Sequence, residues 1–282
     1  MAMAAALLMS GEILTHGQAA TRSENGFART LPYILSCSCP HPRSRMSQLK
    51  AWITLVVTIT FVTSPAFTSP FSGFSQDQLP IPQIDPPVQP AGYAFSIWGL
   101  IYGWLLVSAV YGVFARRTDR AWDRARTPLA ISLALGTPWL AVANRSAIWA
   151  TVLIFGMAIS AIVALKRAPH TDSKWLRSPV SIYAGWLTAA AFVSLGSTAA
   201  GYGLLANSVG WALISITLAL LVAVLVQRAV PRAPLYGATV IWALVGIMVA
   251  NGGDPLGVTL LAGAGLFVLG SLLASQRRQL AT

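Results

Sequence analysis

From residue 51 onward the chain alternates long apolar stretches with short basic ones. Apolar runs cover roughly 51–67, 90–117, 127–144, 147–165, 179–195, 208–226, 235–250 and 256–274. At 1.5 Å per residue most reach across a bilayer core as helices, and the first, of about 17 residues, is near the lower limit. Open sheets cannot satisfy their backbone groups in lipid, and the runs lack the alternation of a barrel. The pattern predicts an all-α integral membrane protein with about eight transmembrane helices. Run 51–67 reads as a retained span, with a cleaved signal sequence as the alternative. Residues 68–90, rich in Pro, Ser and Gln, read as an extended loop outside the membrane.

Residues 1–45 carry no sustained apolar period, and Met46 opens a conventional membrane-protein start. The leader therefore reads as a disordered tail or an over-extended start. Glu12 and Glu24 count against a transit peptide. Cys37 and Cys39 form an isolated CxC, a weak metal signal without a second pair, so no metal site is expected.

Basic residues set the expected orientation. Counting from Met46, alternate boundaries hold Lys50, then Arg116, Arg117, Arg120, Arg124 and Arg126, then Lys166, Arg167, Lys174 and Arg177, then Arg228 and Arg232, then Arg277 and Arg278. The opposite boundaries hold only Arg145. The bias places both termini in the cytoplasm of a cell inner membrane. Composition agrees: 55% of residues are hydrophobic and 10% charged, against about 25% charged in a soluble domain. The net charge of +11 sits in these clusters, so it reads as topology and not as a nucleic-acid site.

All acids and histidines fall outside the expected spans, which leaves no intramembrane proton relay or nucleophile with its base. Asp119 and Asp123 read as local ion pairs with neighbouring arginines, Asp254 as a turn residue, and Ser178-Pro179 as a helix start. What remains is aromatic. Trp52, Trp122, Trp149, Trp175 and Trp211 suit interface anchoring, whereas Trp98, Trp139, Trp186 and Trp242 lie deeper. Phe95, Trp98 and Tyr102 share one helical face, and Gly99 and Gly103 make a GxxxG helix-packing pair on another. Tyr183, Trp186, Ala190, Ser194 and Ser197 share a second patterned face. Side by side, the two aromatic faces would enclose an apolar cleft with a few hydrogen-bonding tips.

Phe-Ser-Ile-Trp-Gly-Leu-Ile-Tyr at 95–102, with Pro90 before it, and Ile-Tyr-Ala-Gly-Trp at 182–186, with Ala190 a turn later, resemble the second and fifth helices of the TspO/MBR family, the tryptophan-rich sensory or translocator proteins, in its long bacterial form. Trp139 is similar to the family's third-helix tryptophan. The chain departs from that pattern at Ile182, where the family has proline, and at Ser194, where it has asparagine. The resemblance implies a five-helix core over 46–203, followed by three additional helices over 204–282. It also implies a pocket for a tetrapyrrole (porphyrin or haem) or sterol-like ligand, held by Pro90, Phe95, Trp98, Tyr102, Trp139, Tyr183, Trp186, Ala190 and Ser194. The expected activity is binding or sensing, with no catalytic residue and no required cofactor. Light-dependent porphyrin breakdown is the enzymatic alternative. Other readings are a transporter of an uncharged or amphipathic metabolite, and a complex subunit or homodimer with Gly99, Gly103 and the small-residue run 262–265 as contact faces.

Overall fold

The computed structural model describes residues 42–69, 71, 73–75 and 78–281. Expectations about residues 1–41, including Cys37 and Cys39, lie outside them. Nine helices are present among the described residues: α1 (Pro42–Thr63), α2 (Ile97–Phe114), α3 (Arg120–Gly136), the short α4 (Trp139–Ala143), α5 (Ala147–Arg167), α6 (Ser178–Gly201), α7 (Ser208–Ala229), α8 (Pro234–Asn251) and α9 (Leu256–Ala281). Starts are marked by short polar side chains. Asp119 accepts from Ala121 N at 2.7 Å, Ser146 from Trp149 N at 3.4 Å and Asn207 from Gly210 N at 2.8 Å, each satisfying an orphan N–H of a first turn. Pro179 sits in the first turn of α6, as expected.

Seven helical segments are long and apolar enough to cross a membrane. The expected third span is the exception. Its helix α3 opens on Arg120, Asp123, Arg124 and Arg126, ends at Gly136, and is followed after Thr137-Pro138 by α4. The apolar run 127–144 is thus divided between the second half of the 17-residue α3, the Thr137-Pro138 turn and α4. Its walls are nonetheless core, because α3 packs against both α1 and α5.

Helix α6 is central. The span containing it is 78% buried, while the other six lie between 22% and 44%. It contacts α2, α5, α7 and α8. Close approach is bought with glycine: a Cβ on Gly185 would lie 2.5 Å from Tyr236 O on α8, and one on Gly196 would lie 2.7 Å from Ser215 Oγ on α7. Helices α7 and α8 therefore pack directly on α6, and α9 packs on α7 and α8. The small residues of α9 face inward too, with Ala262 fully buried and Gly265 against Leu220 of α7. Of the run 262–265, Ala262 and Gly265 are thus packed inside the chain, while Gly263 is half-buried and Ala264 is exposed.

At one end of the bundle the loop after α1 is folded onto the helices, not extended away from them. Ile81 N donates to Gly201 O at 2.8 Å and Ala91 N to Gly246 O at 3.0 Å. Asn144 Nδ2 donates to Ser69 O at 3.1 Å, and Asn251 Nδ2 to Pro87 O at 2.9 Å. Leu79 and Val88 are buried under it. Pairing loop carbonyls to helix ends satisfies both sets of groups.

The opposite end is held by arginines. Arg126, 2% exposed, donates from Nη2 to Gly112 O and Arg116 O, both at 2.8 Å, and from Nη1 to Asp123 at 2.6 Å. It thereby caps the last turn of α2 with the rigid guanidinium fork. Asp172 accepts from Arg116 Nε at 2.7 Å and from Trp122 Nε1 at 2.8 Å. Trp122 is accordingly buried and not an interface anchor. Asp123 pairs locally as expected, and Asp119 lies 3.8 Å from Arg116.

Candidate functional site

The cavity grows out of helix periodicity. On α2 and the turn before it, Phe95, Trp98 and Tyr102 project to one side, and Trp98 stacks on Tyr102 with centroids 5.3 Å apart and planes at 24°. From α6, Trp186 meets this row edge-on, 5.7 Å from Phe95 and 6.2 Å from Trp98. Edge-to-face and offset stacks are the arrangements that the ring quadrupole favours. Trp139, from α4, closes the loop end of the space. Its indole donates to Ala150 O at 2.9 Å, which fixes the ring, and its edge meets Phe71 at 5.2 Å. Together these side chains enclose a cavity of about 260 Å³ with no charged side chain among the described residues of its lining.

Eight of the nine ligand-site residues expected from the sequence line this cavity: Pro90, Phe95, Trp98, Tyr102, Trp139, Trp186, Ala190 and Ser194. The α6 face presents Trp186 low, Ala190 in the middle and Ser194 and Ser197 toward the loop. Ser194 is anchored to Thr151 of α5, Oγ to Oγ1, at 2.7 Å. Tyr183 is the ninth, and it does not reach the space. It is fully buried, edge-on to Phe61 at 5.7 Å, with its hydroxyl 3.0 Å from Ser132 Oγ. Ser132 donates to Met157 O, so its single proton is used there and Tyr183 is the donor. Its polar tip ties α6 to α3 and holds no ligand.

Among the described residues, Gly99 and Gly103 pack against no helix. A Cβ at either would meet nothing within 4 Å, because the inward face of α2 is Ile101, Leu105, Ser108 and Gly112. Trp242 also lies outside the cavity. Its indole donates to Ala94 O at 3.0 Å and its ring meets Tyr93, pinning the start of α2 to α8.

Several lining residues were not singled out in the sequence. Phe61 at the end of α1 is edge-on to Trp98, Tyr102 and Tyr183, Phe71 and Phe74 come from the loop, and Ile154 and Met157 from α5. The i, i+3 spacing of Phe71 and Phe74 was the one available signal. The free polar groups are few: the indole N–H groups of Trp98 and Trp186 and the hydroxyls of Tyr102, Ser69 and Ser197 have no hydrogen-bond partner among the described residues.

The charged groups outside the membrane-spanning segments whose titration is visibly shifted lie at the arginine end. Arg116 beside Asp172 holds that carboxyl below its ordinary range, the Trp122 N–H acting the same way against partial burial. His170 is lowered by burial and by Arg177 and Arg232. Among the described residues no group of His, Cys, Asp or Glu converges to hold a metal.

Seven helical segments long and apolar enough to cross a membrane, with an aromatic cavity among them that no charged described residue lines, define a multi-pass integral membrane protein with an internal apolar pocket. The family model for TSPO-like proteins matches residues 48–273, and the chain belongs to that family. The matched stretch takes in α7, α8 and most of α9 as well as the helices around the cavity. No curated protein and no solved structure matches the chain.

Proposed function

We propose that this TSPO-like protein binds a flat, largely apolar ligand of the tetrapyrrole or sterol-like class in the aromatic cavity, and that it acts as a membrane binder or sensor and not as an enzyme. The observation that carries the reading is the convergence of Trp98, Trp139 and Trp186 with Tyr102 on one space that no charged side chain lines. Rigid aromatic faces give large contact area at little entropic cost. The two free indole N–H groups and a few hydroxyls supply orientation, the usual division of labour in small-molecule sites. A general acid or base would need to stand within hydrogen-bond reach of the bound molecule, and no carboxylate or histidine lines the cavity.

The volume adds a condition. About 260 Å³ lies just below the range of roughly 300–1,000 Å³ common for ligand pockets. A tetrapyrrole therefore enters only if the loop carrying Phe71 and Phe74 yields. The test is titration of protoporphyrin or haem against tryptophan fluorescence of the purified chain, with Trp98→Ala and Trp186→Ala in parallel. The reading expects saturable quenching that both variants weaken by about tenfold, which corresponds to about 1.4 kcal/mol. No saturable quenching, or both variants unchanged, overturns it. We further propose that the arginine end faces the cytoplasm, on the strength of the basic-residue bias.

A further inference from the structure

A second cavity, of about 370 Å³, lies within the folded loop. Gly73, Phe74 and Gln89 line both it and the aromatic cavity, so the two spaces adjoin. Its wall differs in kind. Gln78, Gln83, Asp85 and Asn144 contribute to it, and no lysine, arginine or histidine does.

Each of three amide groups commits at least one N–H to holding the loop. Gln78 Nε2 donates to Ala143 O at 3.0 Å, Gln83 Nε2 to Ile81 O at 3.2 Å and Asn144 Nδ2 to Ser69 O at 3.1 Å. The acceptors without a partner among the described residues are Gln83 Oε1, Asn144 Oδ1 and the Asp85 carboxylate, and Asp85 is the one charged side chain among the described lining residues. A wall of amides whose one described charge is a carboxylate favours a donor and disfavours an anion.

We infer that the ligand of the aromatic cavity carries a hydrogen-bond-donating end, an amine or a hydroxyl, that lodges among Gln83, Asp85 and Asn144 while its flat body stacks on Trp98 and Trp186. The inference rests on the aromatic cavity being a ligand site, and it narrows the ligand class. Hydroxyl- or amine-bearing flat molecules fit, whereas a molecule that must place a carboxylate in the annexe does not.

Three probes test it: pyrene with a four-carbon arm ending in an amine, an alcohol or a carboxylate. Each is titrated into the full chain in a neutral maltoside detergent, with quenching of tryptophan emission by energy transfer as the readout and Ala190→Phe as the blocked-cavity reference. Because Asp85 is exposed, each step of the order amine, alcohol, carboxylate is expected to be about fivefold or less. Asp85→Asn brings the amine and the alcohol together. Asparagine suits the test because Asp85 has φ 45°, a left-handed conformation that Asn adopts readily. An order that is flat, reversed or unchanged by Asp85→Asn overturns the inference and leaves the cavity standing. If none of the three probes gives quenching that saturates and that Ala190→Phe abolishes, the aromatic cavity itself is lost, and the inference with it.

Discussion

Gly185→Ala tests the packing on which the cavity depends. The added Cβ would lie 2.5 Å from Tyr236 O and 3.0 Å from Thr239 Cβ, and the first of these is backbone that cannot rotate away. Helices α6 and α8 must part by nearly the difference from an ordinary contact of about 3.5 Å, an overpacking that costs about 1–3 kcal/mol. Alanine is the better helix former by up to about 1 kcal/mol, which offsets part of this. The shift also pulls on the Thr188–Tyr236 hydroxyl pair at 3.1 Å. A net loss of about 1–2 kcal/mol lowers the melting temperature by roughly 2–8 °C for a domain of this size. Gly99→Ala is the internal control, since its Cβ meets nothing and only the helix preference acts. Helical circular dichroism melting in one detergent compares the two. If Gly185→Ala melts at or above Gly99→Ala, the reasoning about the α6–α8 contact is refuted.

Arg126→Ala removes the cap on α2 and leaves Gly112 O, Arg116 O and Asp123 without their donor. A loss of about 3 kcal/mol is expected, with Arg126→Lys recovering only part of it because the fork is gone; chemical denaturation in detergent measures both. Asp172 has a depressed carboxyl pKa through Arg116, so its contribution is present above the ordinary value of 3.8 and is lost as pH falls below it. Asp172→Asn should therefore flatten the acid limb of the melting curve, and an unchanged acid limb would contradict the pairing. A C-terminal fluorescent-protein fusion should glow and a phosphatase fusion should stay inactive if the arginine end is cytoplasmic; the reverse pattern inverts the topology.

The faces that matter most were legible because helical spacing alone brings side chains together. Residues 95, 98 and 102 on α2 and 186, 190 and 194 on α6 repeat at three and four, and they line one cavity. Periodicity could not say which apolar face meets protein and which meets lipid, since both are apolar. Gly99 and Gly103 consequently read as a packing pair when the neighbours of α2 lie on its other side. Tyr183 shares the α6 face, yet its hydroxyl is drawn to Ser132 on α3, a partner fifty-one residues away that no local pattern reveals. The loop was the largest omission. Its Pro and Gln content signals irregular backbone, and only the tertiary bonds to Gly201, Gly246 and Ala143 make it a cover. Trp122 and Arg126 sit in a basic segment that reads as solvated, and their burial follows from Asp172 and the α2 carbonyls reaching them.

The central claim is that the space between α2, α4 and α6 is where the ligand sits. Ala190 lines it at the middle of the α6 face, and Ala190→Phe projects a ring into it while leaving every tryptophan in place. Protoporphyrin titrated into the wild type should quench tryptophan emission to saturation at one ligand per chain. Ala190→Phe, with an unchanged melting temperature, should lose at least about tenfold in affinity. Equal affinity in the two proteins would place the ligand elsewhere and contradict the account.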